Sequence, residues 1–162
     1  MRRAGLWLGV GVAVGLLAMV ATAQAKEEHV ALSKVPHAVT KSIKERFAGA
    51  HVRSAKKETE MNGKVAYEVT IRDKGVMKDI TVTPEGVIEV IEKEISAKDL
   101  PPAVRNTLSS TYPGAKYKVV EETMQVEKQG EQLAYYEVMV VPVGKKAREV
   151  KVTGGGKILE AN

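Results

Sequence analysis

The sequence predicts an α+β protein built from two tandem repeats, each one helix plus about four antiparallel strands, with the helices packed on the sheet. Three observations predict it. Ordered matches recur between the two halves of the chain. An apolar residue stands at every fourth position where each half begins. The remainder of each half alternates apolar and polar residues.

Before the repeats comes a leader. Arg2 and Arg3 give a positive start, an uncharged apolar stretch follows from Ala4 to Val20, and Ala23-Gln24-Ala25 has the small-x-small form of a signal-peptidase site. This is the pattern of a cleaved secretory signal over residues 1–25. The competing reading is an uncleaved anchor, since the apolar run approaches the roughly 17-residue lower limit for spanning a bilayer. Residues 26–34 then form a polar lead opening with Lys26-Glu27-Glu28. Removing the two leader arginines takes the formal net charge from +5 to +3. So small a balance, mixed along the chain, argues against a nucleic-acid partner. There is no cysteine. A thiol nucleophile, a zinc–cysteine site and a redox pair are therefore excluded, and the fold must be held by its core alone.

The first repeat, 35–95, opens Val35-Pro36-His37-Ala38-Val39; the second, 100–160, opens Leu100-Pro101-Pro102-Ala103-Val104. Phe47-Ala48-Gly49-Ala50 then matches Tyr112-Pro113-Gly114-Ala115 at the same offset of 65. Tyr67-Glu68-Val69 matches Tyr136-Glu137-Val138 at 69, so the second copy is four residues longer in between. Ile80 to Thr83 matches Val150 to Thr153, and Gly86-Val87-Ile88 matches Gly156-Lys157-Ile158, both at 70. Within each copy Val35, Val39, Ile43 and Phe47, or Leu100, Val104, Leu108 and Tyr112, build one apolar helical stripe. Proline suits the first helical turn, and Gly49 or Gly114 suits the end. Val65, Tyr67, Val69 and Ile71 then alternate with Ala66, Glu68, Thr70 and Arg72, as strands with one buried and one wet face do. Asn62-Gly63, Lys74-Gly75 and Pro84-Glu85-Gly86 mark turns. A unit of about 60 residues without disulfides buries too little surface to be secure alone, so the two copies are expected to pack together.

Chemistry-bearing residues are few. His29, His37 and His51 lack metal-ligand spacing and read as surface histidines. Glu68 and Glu137 recur in the two copies, but a solvated strand glutamate explains them as well as acid–base work does. Gly154-Gly155-Gly156 lacks the lysine and helix of a phosphate loop. Ser109-Ser110 has no base nearby in sequence. No catalytic residue, metal ligand or cofactor is predicted.

The copies differ most on one strand. Its outward set in the second copy is Leu133, Tyr135, Glu137, Met139 and Val141, mostly apolar, while its inward set Tyr136, Val138 and Val140 is apolar too. Either the other half covers that back, or it is an exposed patch of the kind that marks a partner site. Leu133, Tyr135, Met139 and Val141 are the candidate partner-binding residues, since tyrosine and methionine suit interface cores.

The Leu/Val-Pro-x-Ala-Val opening, the aromatic-x-Gly-Ala helix end, the Tyr-Glu-Val strand and the Pro-Glu-Gly-x-Ile hairpin together resemble the PepSY-like repeats, grouped with the β-lactamase-inhibitor-protein fold. The resemblance covers about residues 32 to 160. It implies a tandem β-lactamase-inhibitor-like α+β fold, secretion, no enzyme activity, and a role in holding or inhibiting a peptidase or binding another envelope protein. The β-lactamase inhibitor itself uses an aromatic-rich concave sheet and disulfides. This chain has no cysteine and no tryptophan after Trp7, so inhibition of a β-lactamase does not carry over. The expectation is a periplasmic, non-catalytic binding module for an envelope protein or peptide, with no membrane contact once the leader is removed. The alternative is a periplasmic carrier of a small ligand or metal, favoured by a deep pocket with converging polar groups.

Overall fold

The computed structural model describes residues 26–60 and 62–162. The predicted signal peptide lies outside them. Strand β1 spans Lys26–His29, helix α1 His37–Arg46, β2 His51–Thr59, β3 Val65–Asp73, β4 Val76–Val82 and β5 Ile88–Glu94. Helix α2 spans Pro102–Thr111, and β6 Lys116–Glu127, β7 Gly130–Val141, β8 Arg148–Val152 and β9 Ile158–Ala161 complete the chain. Among the described residues no helix is long and apolar enough to cross a membrane.

The expected pair of repeats, each a helix packed on its own sheet, is not what the chain builds. Among the described residues it forms one antiparallel sheet of nine strands in the order β1 to β9, carrying two short α-helices of ten residues each. The seam is β5 against β6, paired from Val90↔Gln125 to Glu94↔Glu121. Two separate sheets would each end in an edge of unpaired N–H and C=O groups, and the seam satisfies one edge with the other. Alternation specifies which face a side chain takes, not which strand lies beside it, so the pairing has no signature in the pattern. The polar lead also contributes more than expected: Lys26–His29 adds the edge strand β1 against β2.

Both helices lie on one face. Val39 and Ile43 of α1 pack with Val69, Ile71, Ile80, Val82 and Ile91. Val104 and Leu108 of α2 pack with Val120, Val138, Val140, Val150 and Val152. Ile91 pairs with Met124, which touches the first cluster, and Val120 lies on the same side of β6 as Met124 because register is unbroken from Val120 to Thr123. Successive strand side chains alternate faces, so the two clusters share one side of the sheet. Each buried Val, Leu or Ile contributes about 1.5–3 kcal/mol.

Each helix is also tied to a distant hairpin tip. Ser42 Oγ donates to the Gly86 carbonyl and Thr107 Oγ1 to the Gly156 carbonyl, the latter at 2.7 Å. A Cβ on Gly86 or Gly156 would stand 2.8 Å from the Ala38 or Ala103 carbonyl oxygen, and both glycines have positive φ, 92° and 85°. Only glycine lets the tip approach the helix so closely.

Candidate functional site

Among the described residues the opposite face of the sheet bears no helix. Its register places polar side chains in rows running across the strands. One row is Glu94, Glu121, Glu137, Lys151 and Glu160, in strands β5 to β9. Another is Ser54, Thr70, Asp79, Glu92, Thr123 and Tyr135, in β2 to β7. A depression of about 650 Å³ opens on this face, lined by residues from β1 to β8. Eight glutamates and two lysines line it. The charge that is mixed along the chain is therefore sorted in space, because period-two spacing sends each strand's acids to the same side.

Two lysines organise the acids. Lys56 Nζ lies 2.9 Å from Glu68 and 3.7 Å from Glu27. Lys151 Nζ lies 3.2 Å from Glu160, 3.5 Å from Glu149 and 3.8 Å from Glu137, and 5.6 Å from the centre of the Tyr135 ring. Burial works against the Lys151 charge, but Tyr135 and these three carboxylates more than offset it and raise its pKa.

Among the described residues Glu58, Glu92 and Glu121 lack such partners within 4.0 Å. Burial pushes Glu92 up to about 7, helped by Glu121, Glu68 and Asp79. Glu121 likewise reaches about 7 through burial, then Asp79, Glu137 and Glu94. Glu137 is raised by burial and by Glu149 and Glu92, with Lys151 opposing. Glu58 is raised by burial and by Glu68 and Glu27. Between Glu92 and Tyr135 sits Thr123, fully buried, whose Oγ1 makes no well-formed hydrogen bond.

The sequence-predicted residues divide. Tyr135 lines the depression and is half-buried. Met139 and Val141, also half-buried, are opposite Glu149 and Lys116. Leu133 is elsewhere. The β6–β7 register shifts between Thr123↔Tyr135 and Met124↔Leu133, a bulge that leaves Ala134 unpaired. Leu133 thereby joins Met124 on the helix-bearing side, and it and Tyr136 both come within 3.9 Å of where a Gly154 Cβ would be. Neither half folds over the other's back, because the halves are continuous in one sheet. Nor are Glu68 and Glu137 the solvated strand glutamates the pattern indicates. Their side chains are only 18% and 17% exposed. What sequence reasoning missed is the acid-rich open face: Glu58, Glu92 and Glu121 come from three different strands, with Glu58 and Glu92 lining the depression, and only their period-two phase could have pointed to it.

His29, His37 and His51 are all exposed. Among the described residues no group of three or more His, Asp or Glu side chains is arranged to hold a metal ion.

An antiparallel sheet with helices on one face and an acid-rich open face on the other defines the class of α+β proteins built on a single sheet covered on one side. The chain belongs to the family described as "Putative beta-lactamase-inhibitor-like, PepSY-like", whose profile matches residues 21–89 and 66–159. Among solved structures, a DUF2874 family protein from Bacteroides uniformis is 17% identical with a TM-score of 0.62, covering 78% of this chain and 88% of its own. A BLIP-like protein from Bacteroides fragilis is 19% identical with a TM-score of 0.55, covering 77% and 83%. A third, described as a "putative periplasmic" protein from Bacteroides eggerthii, is 15% identical with a TM-score of 0.61, covering 79% and 88%. At these identities the likeness is one of fold. Among curated proteins, none matches the sequence.

Proposed function

We propose that this protein is a periplasmic, non-catalytic binding module whose open sheet face holds an envelope protein or peptide, with modulation of a peptidase or another envelope enzyme as the purpose. The observation that carries the reading is the uncovered face itself. A sheet with one face packed on helices ordinarily leaves the other to water, yet here Glu68, Glu137, Tyr135 and Met139 are partly withdrawn from it around a depression spanning most of the strands. The inhibitor-like description of the family and the periplasmic description of a structural relative support the same reading. The secretory pattern of residues 1–25 agrees with it.

Changing Tyr135 and Met139 together to serine tests it. The variant is expected to keep its melting temperature within a few degrees and to lose a partner captured by the mature wild-type protein from its own periplasmic extract. Collapse of stability would make both residues core, and unchanged capture would move the contact elsewhere; either sinks the reading of this face.

A further inference from the structure

We infer that the occupant of the open face is an extended polypeptide segment bearing at least two lysine or arginine side chains, which seat among Glu58, Glu92 and Glu121. The inference rests on the binding-module reading above and adds the chemistry of the partner.

The depression has eight glutamates against Lys64 and Lys151, although residues 26–162 are net basic. The two lysines do not serve all the acids. Lys64 is paired with Glu89 at 3.0 Å, and Lys151 is shared by Glu137, Glu149 and Glu160. Among the described residues Glu58, Glu92 and Glu121 have no cationic partner within 4.0 Å, and each faces other carboxylates. Burying an uncompensated charge is expensive, and a partner's cation removes that penalty on binding. The raised carboxyl pKa values are the same deficit seen from the proton's side.

A second observation points into the same place. Thr123 lies between Glu92 and Tyr135 on the open face, fully buried, and beyond its contact with Tyr135 its hydroxyl makes no well-formed hydrogen bond. Buried hydroxyls are ordinarily satisfied. The hydroxyl is reached only when Glu92 or Tyr135 swings aside, and a polar group of a segment seated across β5 to β7 would then supply the missing bond.

The geometry favours a chain over a single ion. No three acidic or histidine side chains among the described residues converge as metal ligands. The unpartnered acids are instead spread over β2, β5 and β6, with neighbouring strands about 4.8 Å apart. Glu92 and Glu121 are diagonal neighbours across the seam, and Glu58 lies three strands from Glu92. One extended segment with spaced basic side chains reaches both spots; a compact cation reaches one. Tyr135, with Lys151 already over its ring, adds an aromatic surface for the segment's apolar parts.

The probe is a fluorescein-labelled decapeptide of alternating lysine and serine, with an alternating glutamate–serine peptide as its opposite. Anisotropy is read against mature wild-type protein and against E92Q/E121Q. The lysine peptide is expected to bind, to weaken about tenfold or more between low and high salt, and to lose at least about fivefold in affinity on E92Q/E121Q, whose circular dichroism and melting confirm folding. Equal binding of the two peptides, or wild-type affinity in E92Q/E121Q, overturns the proposal. So does saturable binding of calcium alone with no peptide binding, which would make the face an ion site. An envelope protein captured equally by wild type and E92Q/E121Q, but lost in the Tyr135 and Met139 double variant, leaves the module reading intact and overturns the cationic one.

Discussion

Glu121 and Glu137 stand directly opposite each other across β6 and β7, so two carboxylates share one cross-strand position. Like charges so placed are destabilising. The fold tolerates the pair because Lys151 lies beside Glu137 and because Glu121 holds its proton until about pH 7.

This makes stability fall with rising pH in a definite window. The folded-state values of Glu92 and Glu121, about 7, lie above the ordinary 4.5, so the native state binds protons that the unfolded chain has released. Stability therefore declines from about pH 4.5 to 7 and levels off above. Asp73, held low by Lys78, and Glu160, held low by Asn162 and Lys151, act only at more acidic pH. Thermal melts at pH 5 and pH 8 should show the lower midpoint at pH 8. Glu121→Gln should raise the pH 8 midpoint by a few degrees, on the order of 2–6 °C per kcal/mol for a domain of this size, and leave pH 5 nearly unchanged. A wild type more stable at pH 8 than at pH 5 contradicts this.

The hairpin tip at Gly156 is a second test. Alanine there would put a methyl 2.8 Å from the Ala103 carbonyl oxygen at a φ of 85°. Gly156→Ala should destabilise by about 1–3 kcal/mol in urea unfolding, through strain and displacement of α2. Thr107→Val, which removes only the bond to Gly156, should lose about 1 kcal/mol. Equal stability of Gly156→Ala and wild type would show that the tip relaxes freely.

Leu108 is fully buried, whereas Val143 is 74% exposed. Leu108→Ala should lose about 2–5 kcal/mol, and Val143→Ser should stay within about 0.5 kcal/mol. Denaturant midpoints at constant m-value distinguish the two.

Thr123→Val removes a buried hydroxyl that has no well-formed partner. The change should be neutral or stabilising by up to about 1 kcal/mol in the free protein, since the oxygen's desolvation is no longer incurred. If the face is occupied as proposed, the same variant should weaken binding of the lysine–serine peptide. A clear loss of stability would show that the hydroxyl is bonded after all.

Much of the local pattern was legible. The four-residue spacing picked out Val39, Ile43, Val104 and Leu108, all buried under the helices, and strand alternation picked out Ile71, Ile80, Val82, Val138 and Val140. The two glycine tips also stood at matching places in the sequence. What the pattern could not carry was adjacency. Nothing in Val90 to Glu94 or Glu121 to Gln125 states that they are neighbours, so two helix-and-sheet units were expected where one sheet forms. Lys26-Glu27-Glu28-His29 has no apolar residue and reads as a tail, yet its backbone pairs with β2. The candidate site failed for a related reason. Alternation assumes unbroken phase, and the bulge at Ala134 shifts Leu133 to the other side. The acid-lined face was hidden because its members are far apart in the chain.

The β5–β6 seam also decides what a protease can do to this molecule. Five residue pairs clasp the strands on either side of the connector between Glu94 and Pro102, and Arg46 reaches from α1 to Glu131 on β7. A nick in that connector leaves two fragments still zipped together, whereas excising either one strips the other of a wall and bares a sticky border.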